Sequence, residues 1–138
     1  MSVYISHITA LECLRSLANA SRMPPRANRI DIQDASPADK RTAKILTRLS
    51  PDLYRIDVLV PNQRQRTRNS ICKGHLWSSR IPPGSFMELG AGIWLSSPEF
   101  CFLQLAGSLS LIKLMQVGYE LCGCYAMNPR VKRGFTST

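Results

Sequence analysis

Three arginines at alternate positions are the residues whose type and spacing best fit a chemical task. Arg64, Arg66 and Arg68 lie in the segment QRQRTRNS, residues 63–70. If this segment is extended, their guanidinium groups point to one side, roughly 6 to 7 Å apart, close to the repeat of phosphates along a nucleic-acid strand. Two interpretations stay open: contact with phosphates, or a flexible and charged hairpin tip.

Two further groups of basic residues strengthen the first interpretation. One group lies opposite an apolar stripe with helical spacing, and the other lies in the final segment NPRVKRGFTST. We expect both groups to contact phosphates, which positions nucleic acid without reading its sequence. These supporting residues are Lys40, Arg41, Lys44, Arg130, Lys132 and Arg133.

Patterns for metal binding and catalysis are weak by comparison. Cys72 and His75 have Cys-x-x-His spacing, and Cys122 and Cys124 could add two thiolates to a zinc site. Cys-x-Cys is not the usual zinc knuckle, and the acidic residues are too dispersed to hold a catalytic magnesium. His7, at a predicted helix start, is typical of a surface or capping residue. We therefore expect no metal, no cofactor and no enzymatic activity.

The overall charge favours a polyanionic partner. The 138-residue chain has 18 Lys and Arg against 9 Asp and Glu, which gives a net charge of +9. Such a charge favours contact with nucleic acid, although it also promotes solubility. No apolar run reaches the roughly 20 residues of a membrane span, and no export signal is recognisable. With an odd number of cysteines, five in all, this indicates a cytoplasmic protein with reduced thiols.

The local patterns predict an α+β fold in a single domain over residues 1–127. A small, mostly antiparallel sheet is expected to pack against two to three helices. Residues 54–60 and 71–78 are predicted to form a strand and its return strand, and residues 86–95 a hairpin joined by Gly-Ala-Gly.

Three helix starts and ends carry specific expectations. Ser36 is predicted to be the N-cap of a basic helix, since a proline follows it and an acid lies three residues on. Ser97 is expected to begin a helix that is apolar on every side and therefore buried. A last helix over residues 111–122 is expected to end at Gly123, with Gly118 allowing a close approach to the preceding helix.

Several short motifs follow one another in a recognisable order over residues 54–123. They are His75, Ile81-Pro82-Pro83, Ser96-Ser97-Pro98, Phe102-Leu103-Gln104-Leu105-Ala106 and Leu109-Ser110-Leu111. Together they resemble the middle portion of the bacterial AbiEi-type antitoxin family and of related actinobacterial proteins with a C-terminal Vsr-like nuclease domain. The winged helix and the nuclease domain of those families have no counterpart here. Residues 128–138 look like a basic tail that begins a missing C-terminal region.

The resemblance and the charge together lead to three hypotheses about function. The first is a non-catalytic module of a toxin–antitoxin or abortive-infection system that contacts nucleic acid, a toxin partner or both through its basic surface. The alternative is the N-terminal scaffold half of a nuclease whose catalytic domain lies beyond this chain. A third hypothesis is a protein-only interaction domain with an acidic partner. The sequence contains no indication of the oligomeric state.

Overall fold

A six-stranded sheet lies at the centre of the fold. The computed structural model describes residues 2–53, 55–66, 68 and 70–126, without the side chains of 124–126. Its strands are β1 (Val3–Ile5), β2 (Arg26–Ala27), β3 (Ile56–Val60), β4 (Cys72–Leu76), β5 (Phe86–Gly90) and β6 (Ile93–Ser96). Its helices are α1 (His7–Asn19), α2 (Lys40–Leu49), α3 (Pro98–Leu105) and α4 (Leu111–Ala126). The α+β class is confirmed, with four helices among the described residues rather than two or three.

The sheet is mixed rather than mostly antiparallel. Its strand order is β2-β5-β6-β1-β3-β4. Strands β2–β5, β5–β6 and β1–β3 pair antiparallel, whereas β1–β6 and β3–β4 pair parallel. The expected return strand is parallel to β3 because the connection after β3 runs back along the sheet before β4 begins. Ile56 and Cys72, the first residues of β3 and β4, are therefore level.

Alternating side chains build a core on each face of the sheet. Ile5 and Val58 point toward the helices, where they join Leu14 of α1 and Leu46 of α2 in the larger apolar cluster. The opposite face carries a smaller cluster, which loop residues help to cover. Its buried members are Tyr4, Ile32, Leu59, Ile81, Phe86 and Phe100. Both faces of β1 and β3 are consequently buried.

Helix α3 begins as expected but is not buried on every side. The Ser97 hydroxyl accepts a hydrogen bond from the Phe100 backbone N–H at 3.3 Å, with proline at the first helical position. Phe102 and Leu103, however, are 37% and 52% exposed. The prediction of a fully buried helix is wrong because the sheet, α1 and α4 contact only part of α3.

Helix α2 begins three residues later than the capping pattern predicted. Asp39 is its N-cap, and the Asp39 carboxylate accepts from the Thr42 backbone N–H at 2.9 Å. Ser36 instead donates its backbone N–H to the Ser2 carbonyl oxygen at 2.8 Å. Tertiary pairing with the chain start thus holds Ser36 outside the helix.

Helix α4 approaches α3 closely at a glycine. A Cβ built on Gly118 would lie 3.1 Å from Cε1 of Phe102, which confirms the predicted close contact. The prediction that Gly123 ends this helix is wrong, since α4 continues to Ala126. Within the described residues, no helix combines the length and the apolar character needed to cross a bilayer.

Substitutions of Gly118 and Gly123, the two glycines of α4, should differ in their effect on stability. Gly118→Val should lower the free energy of unfolding by about 1–3 kcal/mol, because the added methyl groups displace the Phe102 ring. Gly123→Val, the matched control, has no atom within 4 Å of the new Cβ. It should change the free energy of unfolding by less than about 0.5 kcal/mol, through helix propensity alone. Urea unfolding measures both; equal stabilities would contradict the close contact.

Candidate functional site

The arginine-rich connection between β3 and β4 lies at the outer edge of the sheet. Arg64 is part of a 3-10 turn over Gln63–Gln65, and the Asn62 side chain caps that turn by accepting from the Gln65 backbone N–H at 3.1 Å. Arg66 returns to extended backbone, and Arg68 forms an antiparallel bridge with Lys73 of β4. A common side for the three guanidinium groups required an extended segment; Arg66 and Arg68 each have extended backbone, whereas Arg64 lies in the turn that Asn62 caps.

Arg66 attaches this connection to the edge strand. Its Nε donates to the Gly74 carbonyl oxygen at 3.3 Å. β4 is the last strand of the sheet, so its outward backbone groups need partners other than a further strand. The contact covers one of these groups and holds the guanidinium of Arg66 at the edge.

The predicted basic residues differ in their partners from three arginines elsewhere in the fold. Arg15 pairs with Glu12 and Glu120, while Arg26 pairs with Glu99 and Arg29 with Asp34, so these three arginines connect parts of the fold. In the part of the chain that the structure describes, no carboxylate pairs with the six predicted residues of the connection and α2. All six are exposed, namely Lys40, Arg41, Lys44, Arg64, Arg66 and Arg68.

Residues 35–38, which precede α2, contact both the connection between β3 and β4 and strand β4 itself. The Gln65 side-chain amide donates to the Ala35 carbonyl oxygen at 3.0 Å, and the Ala38 backbone N–H donates to Sγ of Cys72 at 3.4 Å. This segment connects α2 to the edge of the sheet, and Nη2 of Arg41 in α2 donates to the Ala91 carbonyl oxygen of the β5–β6 turn at 3.4 Å. Arg130, Lys132 and Arg133 lie outside the described residues.

A histidine–carboxylate pair joins β4, the strand of Lys73, to β3. Nε2 of His75 is 2.8 Å from Oδ1 of Asp57. The other carboxylate oxygen accepts from the Thr9 hydroxyl at 3.0 Å and from its backbone N–H at 3.3 Å. The side chains of His75 and Asp57 are 20% and 16% exposed.

His7 stacks directly on His75. The ring centroids are 3.8 Å apart and the planes differ by 15°. Nδ1 of His7 is 2.8 Å from the Ser6 hydroxyl, and its backbone N–H donates to the Gln104 side chain at 2.8 Å. His7 has φ of +52°, a left-handed conformation that is uncommon for a residue with a Cβ. These contacts hold the ring against His75.

Burial and hydrogen bonding shift the pKa values of His7 and Asp57. Burial, followed by the charges of His75 and Lys73, lowers the pKa of His7 to about 4. Burial opposes ionisation of Asp57, but hydrogen bonds from His75 and Thr9 outweigh it, and the net pKa is lowered. At neutral pH His7 is therefore uncharged and Asp57 is ionised, so His7 adds no positive charge to the basic edge.

The stacked rings restrict what this group can do chemically. Rings in van der Waals contact leave no space between them, so the two histidines cannot act as acid and base on opposite sides of one substrate group. The arrangement instead satisfies a carboxylate within an otherwise buried strand. Our sequence interpretation missed the Asp57–His75 pair. The sequence did contain a signal for it, because Asp57 lies inside the apolar run IDVLV, where a carboxylate requires a partner.

The possible zinc ligands do not converge. Cys72 is buried on the helix side of β4, whereas His75, three residues later, points to the other face. Cys122 lies exposed on α4, and the side chain of Cys124 is not described. Among the described residues, no group of three or more His, Cys, Asp or Glu side chains is arranged to hold a metal.

Comparisons of the chain with models of protein families, with curated proteins and with solved structures found no match. The resemblance to AbiEi-type antitoxins therefore stays an expectation from the sequence.

The lowered pKa of His7 predicts a pH dependence of stability. In the unfolded chain its pKa is near 6.5, so between pH 6.5 and about 4 the unfolded state binds more protons. Burial of His7 therefore costs no stability above pH 6.5, where the ring is neutral in both states. As the pH drops toward 4, the free energy of unfolding falls by at most about 3 kcal/mol. The lowered pKa of Asp57 affects stability only at lower pH, because the stabilisation by its ionised carboxylate is lost as the pH falls below 3.8.

His7→Asn tests this assignment, because asparagine tolerates a left-handed backbone and has no titrating ring. Urea unfolding from pH 4 to 7 should show a shallower slope for the variant than for the unchanged protein. Equal slopes would contradict a buried, neutral His7.

Proposed function

We propose that this domain binds nucleic acid through phosphate contacts at the outer edge of β4, without catalysis. The observation that carries the proposal is the group of cations at that edge, Arg64, Arg66, Arg68 and Lys73. No carboxylate pairs with them among the described residues, whereas Arg15, Arg26 and Arg29 each pair with a carboxylate elsewhere in the fold.

The bridge between Arg68 and Lys73 supports an anionic ligand. Directly opposed residues of an antiparallel pair have Cβ atoms about 4.5–5.5 Å apart, and like charges in such positions repel. An anion that contacts both side chains relieves this repulsion. A phosphate suits the task because a guanidinium can bind two of its oxygens at once.

Helix α2 extends the proposed surface. Lys40, Arg41 and Lys44 are exposed and follow the segment that contacts Gln65 and Cys72. A nucleic-acid strand is long enough to contact both groups, and each neutralised phosphate releases counterions. Contacts of this kind bind the backbone without reading bases, so we expect weak sequence specificity.

The proposal places the domain in the cytoplasm as a binding module related to AbiEi-type antitoxins. The order of its short motifs and its net charge of +9 support that assignment. A partner toxin would meet the same surface with acidic side chains, so the binding experiment must distinguish the two ligands.

Replacing Arg64, Arg66 and Arg68 together by alanine should weaken binding to a duplex oligonucleotide and flatten its salt dependence. Each lost phosphate contact removes about 0.9 from the slope of log K against log salt concentration, so loss of three contacts predicts a decrease of roughly 2 to 3. Fluorescence anisotropy over a range of salt concentrations measures both quantities.

A control variant removes the same charge from scattered positions. Arg22, Arg80 and Lys113 are exposed and have no described carboxylate partner. Their combined replacement by alanine should change the slope by less than about 1. Equal effects of the two triple variants would point to non-specific attraction by net charge. Absence of salt-sensitive binding in the unchanged protein would exclude nucleic acid and favour a protein ligand.

A further inference from the structure

An open cleft lies beside Trp94 of β6, whose ring packs against the smaller apolar cluster. The end of β2 and the loop after it form the other walls, and the cleft has a volume of about 380 Å³. Besides the aromatic residue, its lining includes a cation, an exposed apolar side chain and two exposed polar residues, namely Arg29, Ile30, Asn28 and Asp31. A cleft of this size with an aromatic wall and a few polar groups is typical of a small-ligand site.

Arg29 is held against the Trp94 ring by contacts on its edge. Its guanidinium carbon lies over the ring, 4.6 Å from the ring centroid. Nη1 of Arg29 donates to the Tyr4 hydroxyl at 3.2 Å and to the Asp34 carboxylate at 3.3 Å. The side chain nonetheless stays 36% exposed. The cleft therefore has a planar group already in position, which reduces the entropy lost when a ligand stacks there.

The charges around the cleft favour a planar ligand over an anion. Asp34 compensates the charge of Arg29, and Asp31 adds a second acidic residue to the surroundings. A phosphate in the cleft would therefore be repelled as well as attracted. A nucleobase instead has a flat face that stacks on a guanidinium or an aromatic ring. Its edge carries donors and acceptors that match amide and carboxylate groups such as those of Asn28 and Asp31.

The cleft is within reach of the arginine-rich connection. Ala35 follows Asp31 by four residues, so their Cα atoms are at most about 14 Å apart. The Ala35 carbonyl oxygen accepts from the side chain of Gln65, which lies between Arg64 and Arg66 in the connection. Successive phosphates of a strand are roughly 6 to 7 Å apart, so about four nucleotides span the distance from the cleft to the connection.

We infer that the cleft beside Trp94 binds an unpaired base of a single-stranded nucleic acid whose phosphates contact the outer edge of β4. The inference rests on the proposed function, because the phosphate contacts bring the strand to the cleft. The bases of a duplex are stacked inside the helix and cannot enter the cleft, so it contributes only to the binding of single strands. Every base has a face that stacks, so we expect little sequence preference.

A strand without bases separates stacking from phosphate contact. Fluorescence anisotropy of the whole chain compares a single-stranded DNA of about 12 nucleotides with a strand of equal length made of stable abasic residues. The strand with bases should bind about tenfold more tightly, because only its bases can stack in the cleft. Equal affinities would overturn the inference and leave the proposed phosphate contacts intact. If neither strand binds, the proposed function fails together with this inference.

Arg29→Lys assigns the effect to the cleft, since lysine keeps the charge beside Asp34 but lacks the planar group that stacks. The variant should bind the strand with bases about fivefold more weakly, and should bind the abasic strand and a duplex as the unchanged protein does. Arg15→Lys is the matched control, because Arg15 of α1 is paired with Glu120 of α4, and it should change none of these affinities. Circular dichroism verifies the folding of both variants. A preference for bases that Arg29→Lys leaves intact would refute the assignment to this cleft.

Discussion

The pairing of β1 with both β3 and β6 is the contact on which the rest of the fold depends. β1 is three residues long, yet it joins the β2-β5-β6 half of the sheet to the β3-β4 half. Ile5 is level with Val58 on one side and with Leu95 on the other, and all three are fully buried. Because β1 ends in the middle of the sheet, the next residues, including His7, meet side chains from both halves.

A series of hydrogen-bonded polar side chains stabilises this end of the sheet. The Ser96 hydroxyl donates to the Ile5 carbonyl oxygen at 2.8 Å and accepts from the Gln104 amide at 2.9 Å. Gln104 accepts from His7, whose ring contacts His75, and His75 pairs with Asp57. Polar groups buried at such a junction must be hydrogen-bonded, and satisfying them fixes how β1, β6, α1 and α3 meet. Both histidines belong to this network of contacts.

Two surfaces of the domain differ in their chemical character. The edge of β4 collects cations without described carboxylate partners, so its interactions are electrostatic and weaken with salt. The outer side of α4 is apolar, and its interactions depend on the area removed from water. Arg15, Arg26 and Arg29 belong to neither surface, because their ion pairs connect parts of the fold.

The sequence by itself determined the features that arise within a few residues. These include the β5–β6 hairpin, the Ser97 cap of α3, the close contact at Gly118 and the clustering of basic residues in the connection and α2. Tertiary structure decided the parallel pairing of β3 with β4, the displacement of Ser36 from α2 and the exposed side of α3. It also decided the meeting of His7, His75 and Asp57. Caps and side-chain periodicity act between neighbours, whereas strand direction and burial depend on contacts such as that of His7 with Gln104, 97 residues away.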